Sequence, residues 1–100
     1  MVQESRASAG SASSPWTIAT TAATALASDV TRNGLHMYND STSATVYIIM
    51  GTGTPTLTAY GFPLPPGAYF DCPQWMTRLA VQAIGTVASG IVHFQVGTIA

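Results

Sequence analysis

The sequence predicts an all-β protein: a small antiparallel β-sandwich or barrel-like domain over residues 16–100, preceded by an extended or flexible N-terminal arm over residues 1–15. Two observations carry this. Runs rich in Val, Ile, Thr, Tyr and Phe alternate with Gly, Pro and Asn-Asp turn signals, at the roughly 8–12-residue spacing of short strands in sandwiches. No segment of about ten residues or more shows the apolar spacing of a helix. The chain has 100 residues, enough for one domain and one modest core.

The elements follow in order. Residues 1–15 are rich in Ser and Ala and hold too little apolar surface to fold by themselves. Trp16–Ala27 opens with Trp-Thr-Ile, which favours a strand, and its Ala run continues as a loop. Leu35–Asn39 ends in the turn cluster Asn39-Asp40-Ser41, and Ala44–Met50 ends at Gly51. These two runs read as a hairpin or a neighbouring pair. Residues 51–55 read as a loop. Pro63, Pro65 and Pro66 exclude a central ladder strand, and Pro66-Gly67 marks a turn. Ala68–Cys72 is a short strand ended by Pro73, and Leu79–Ile84 another ended by Gly85. Ile91–Val96 alternates, so Val92, Phe94 and Val96 share one face while Ile91, His93 and Gln95 share the other.

Charge is the strongest compositional signal. Only 7% of residues are charged, with a net charge of −1 and no lysine. Soluble domains carry roughly 25%. Contact surfaces lose charged residues at their centres, so a sparsely charged chain points to a surface covered by partners. The composition gives no basic patch, so no nucleic-acid partner is expected. No apolar stretch approaches the roughly 18 residues of a membrane span, and none forms a signal-peptide core, so no membrane partner is expected.

Chemistry needs placed nucleophiles, bases or ligands, and the inventory is thin. His36 and His93 lie on separate predicted strands and read as structural. Cys72 is the lone cysteine and reads as an inert thiol. Asp29, Asp40 and Asp71 are scattered, and Asp40 reads as a turn residue bonding its own backbone. Gly51-Thr52-Gly53-Thr54 lacks the Lys-Ser/Thr ending of a phosphate loop. No catalytic residue, cofactor or metal is expected. The aromatics read mainly as core and interface anchors. Trp75 and Met76, beside a proline turn, and Trp16, where the arm joins the domain, are the expected interface residues.

The order Tyr38-Asn39-Asp40-Ser41, Ala44-Thr45-Val46-Tyr47-Ile48, Gly61-Phe62-Pro63-Leu64 and Pro66-Gly67-Ala68, followed by Leu79 to Phe94, resembles a group of small structural proteins of tailed bacteriophages. The resemblance spans roughly Leu35 to Val96. Tyr47 to Gly51 is longer than the usual strand-then-glycine, and Asp71 to Trp75 is an insertion. The resemblance implies a β-sandwich and a virion structural role, as a capsid decoration or cement protein that stabilises the shell. The major capsid protein or other virion proteins would be its partners, and the protein itself a homo-oligomer, a trimer on this expectation. A tail, head-fibre or connector component, or a surface carbohydrate-binding module, is the alternative.

Overall fold

A computed structural model describes residues 9–98. These form β1 (Ala9–Ala12), β2 (Trp16–Thr17), β3 (Ala23–Leu26), β4 (Arg32–Asp40), β5 (Val46–Met50), β6 (Phe62–Leu64), β7 (Tyr69–Asp71), β8 (Val81–Gly85) and β9 (Ile91–Thr98), with one 3-10 turn at Gln74–Met76. The strands make two antiparallel sheets packed on one core. The first sheet runs β1-β9-β4-β7, with β2 also on β9, and the second runs β3-β8-β5-β6. The fold is all-β, as the sequence predicts.

Alternation builds the core. Val92 and Phe94 of β9, Leu35 and Met37 of β4, Val46 and Ile48 of β5, and Val81 and Ala83 of β8 are all buried. Val96 packs against them on the face expected of it. Burying each such large side chain contributes about 1.5–3 kcal/mol. Phe62 on β6 and Phe70 on β7 bring their rings within 4.4 Å and close the sandwich between its two sheet edges. Pro63 sits on edge strand β6, where its missing N–H costs no ladder bond.

Leu35–Asn39 and Ala44–Met50 are neither a hairpin nor a neighbouring pair of one sheet. β4 pairs with β7 and β9, whereas β5 pairs with β6 and β8 in the other sheet. The cause is Asn39, which is fully buried. Its Nδ2 donates to the carbonyl oxygens of Ala44 and Leu64, each at 2.8 Å. Its backbone N–H donates to Ala68 O, and its carbonyl accepts from Gly67 N–H, each at 2.9 Å. One side chain thereby takes the place of turn bonds and carries the chain across to the other sheet. Gly67 supplies the φ of +74° that the turn closed by Ala68 N–H and Pro65 O requires.

The arm reaches the domain as one interrupted strand. Ala12 faces Gln95 and Trp16 faces Val92, so the arm carries one residue more than β9 between these pairs. Pro15, without an N–H, falls in this bulge. The extra residue turns Trp16 onto the face of Val92, which is the core face. Residues 9–12 are thus an edge strand, and residues 1–8 of the arm lie outside the described residues.

Candidate docking surface

Strand directions send the β3–β4, β5–β6 and β7–β8 connections out of one end of the sandwich. The β5–β6 connection folds back over the second sheet. Its Pro55 is buried, and its Tyr60 ring lies 4.2 Å from that of Tyr47. The other two connections stay at the end and carry the two most exposed large apolar side chains of the described residues, Val30 at 80% and Trp75 at 75%.

Arg32, the first residue of β4, holds these two loops. It is 3% exposed. Its Nη1 donates to Ala27 O at 3.1 Å, its Nη2 to Leu79 O at 2.8 Å, and its Nε to Thr77 O at 2.5 Å. Buried Thr77 returns a bond from its hydroxyl to Arg32 O at 3.2 Å. Arg78 Nε donates to that same oxygen at 3.4 Å, and Asp29 N–H donates to Arg78 O at 3.1 Å. Burial lowers the Arg32 pKa and nearby Asp29 opposes this, while the three carbonyl dipoles satisfy the guanidinium donors. On the Val30 loop, the N–H and hydroxyl of Thr31 both donate to Asp29 Oδ1 and hold that carboxyl below its usual range.

The expected interface residues separate. Trp75 is exposed on the 3-10 turn that Pro73 opens, and Met76 beside it is half-buried. Trp16 is half-buried against the core and pairs with Val92, away from this end. Val30 and Arg32 carried no signal in the sequence beyond one charge in a nearly uncharged segment.

The groups weighed for chemistry fall elsewhere. Asp40 ends β4 rather than a turn, and its carboxylate lies 3.1 Å from His93 Nε2. His36 Nδ1 lies 3.9 Å from Asp71 Oδ1. His36 and His93 thus come together with both carboxylates on the outer face of the first sheet. Cys72 is half-buried, and burial raises its thiol pKa to about 11, so it holds its proton at neutral pH. Among the described residues no group of three or more His, Cys, Asp and Glu side chains is placed to hold a metal ion, and no helix is long and apolar enough to cross a membrane.

The fold and this end define a small antiparallel β-sandwich whose loops present a braced apolar tip. No family model matches the chain, and no curated protein or solved structure matches it.

Proposed function

We propose that the chain is a structural, non-enzymatic assembly protein of a tailed bacteriophage, a decoration or cement protein that docks on the capsid surface through its braced loop end. One observation carries the docking role: Val30 and Trp75 are held out to solvent on two loops that a buried arginine ties together. An ordered apolar tip loses little conformational freedom on binding, so more of its contact energy is available to the complex. Exposed aromatic anchors of this kind dominate contact energies. The sparse charge agrees with a surface covered by neighbours. The sequence resemblance supplies the virion context, with the major capsid protein as partner and a homotrimer as the unit that docks. Copies repeated over a shell let modest single contacts sum.

The test is occupancy of purified capsids by Trp75→Ala and Val30→Ser variants, with thermal unfolding as a control. Both side chains are exposed, so folding is expected to be unchanged while occupancy falls about tenfold or more for Trp75→Ala. Full occupancy by both variants contradicts docking through this end.

A further inference from the structure

The outer face of the first sheet holds a second surface, which borders the loop end at Gly34 and Asp71 and runs from there along the strands. Gly10, Gly97 and Gly34 face one another across β1, β9 and β4. Three neighbouring strands therefore carry no side chain in that row, which leaves a trench about 10 Å long. The next row is Gln95, His36 and Asp71, also in register. Together these residues line a hollow of about 260 Å³. The row after that is His93, Tyr38 and Tyr69. The Tyr69 ring stands 5.3 Å from that of His36, and the rings of the paired residues Tyr38 and His93 have centroids 6.5 Å apart with 21° between their planes. Tyr69 is 69% exposed.

We propose that this trench and its aromatic shelf bind a neutral saccharide. The polar wall suits hydroxyl groups: the Asp71 carboxylate accepts, while the Gln95 amide and the His36 imidazole each donate and accept. The electron-rich faces of Tyr69 and Tyr38 suit the C–H side of a sugar ring. The floor admits such a ring because no Cβ stands in its way.

Charge narrows the class. Among the described residues this face carries Asp40 and Asp71 and no arginine, since Arg32 is buried and Arg78 bonds to Arg32 O at the loop end. A sulfated, phosphorylated or carboxylated ligand would meet these two carboxylates and, among the described residues, no arginine to hold it. An extended peptide would seek unpaired backbone groups at a sheet edge. In the trench the floor is backbone already paired across three strands.

The experiment is an amide NMR titration of the full chain with linear glucan, mannan, galactan and N-acetylglucosamine oligosaccharides. Dextran sulfate serves as the anionic comparison. Saturable shifts at Gly34, His36, Tyr69 and Gln95 with at least one neutral oligosaccharide are expected. Tyr69→Ala and Asp71→Asn should each weaken binding about tenfold or more, and Trp75→Ala should leave it unchanged. Exposure of Tyr69 and Asp71 keeps both variants folded. No saturable shift up to about 10 mM of any neutral oligosaccharide overturns the proposal. Shifts confined to the loop end, or equal binding of the anionic polymer, overturn it as well.

Discussion

Arg32 and Thr77 bond each other reciprocally: the guanidinium donates to the Thr77 carbonyl, and the Thr77 hydroxyl donates to the Arg32 carbonyl. This pair sits beneath the two loops that carry Val30 and Trp75. A buried hydrogen-bonded charge is strongly coupled to its acceptors, and removing it strands them. Arg32→Met is expected to destabilise the fold by about 3 kcal/mol or more, and Thr77→Val by about 1–2 kcal/mol. Arg32→Lys should recover little, because an ammonium cannot span three separated carbonyls as a planar fork does. Urea unfolding of the three variants checks this.

Asn39 makes a comparable demand in the sheet-to-sheet crossing. Asn39→Leu removes both side-chain donors to Ala44 and Leu64. The expected loss is about 2–4 kcal/mol, one buried acceptor stranded at each end. Equilibrium unfolding measures it. A loss below about 0.5 kcal/mol would show that the crossing does not depend on this side chain.

Two glycines separate backbone strain from steric clash. Both Gly67 and Gly90 have positive φ, +74° and +89°. A Cβ at Gly67 meets nothing within 4 Å, whereas one at Gly90 would lie 2.6 Å from Ser41 Cβ and 2.9 Å from Asp40 O. Gly67→Ala is expected to cost about 1–2 kcal/mol, the conformational term alone. Gly90→Ala should cost distinctly more, read as a lower thermal midpoint for the second variant.

Cys72 gives a pH signature with a defined sign. Its folded pKa is raised to about 11 from an ordinary value of 9.0. Above pH 9 the unfolded chain releases this proton while the folded chain keeps it, so stability falls as pH rises. The contribution is complete below pH 9 and is lost as pH passes through about 11. Cys72→Ser should flatten stability against pH over that window. Iodoacetamide should label native Cys72 slowly at pH 8 and unfolded Cys72 fast.

Much of the fold was legible in short-range pattern. The alternation of Ile91–Val96 assigned each side chain its face, and Pro63 excluded a central strand where the structure has an edge. Other features depend on partners far along the chain. Nothing in the sequence marks Arg32 as buried, because two of the three carbonyls that accept from it lie 45 and 47 residues away. Asn39-Asp40-Ser41 reads as a local turn cluster, yet Asn39 bonds Leu64 O, 25 residues on. The face of Trp16 is set by a one-residue bulge that pairing with β9 defines. Pro73 marked the turn on which Trp75 stands exposed. The outer-face group was not legible, since His36 and Asp71 meet only through the β4–β7 register.

The proposed assembly role on the capsid shell is measured directly by the amount of this protein in separated heads and tails of purified particles, relative to the major capsid protein. A decoration role predicts enrichment in heads at a copy number comparable to that of the major capsid protein. Enrichment in tails, or only a few copies per particle, would contradict it.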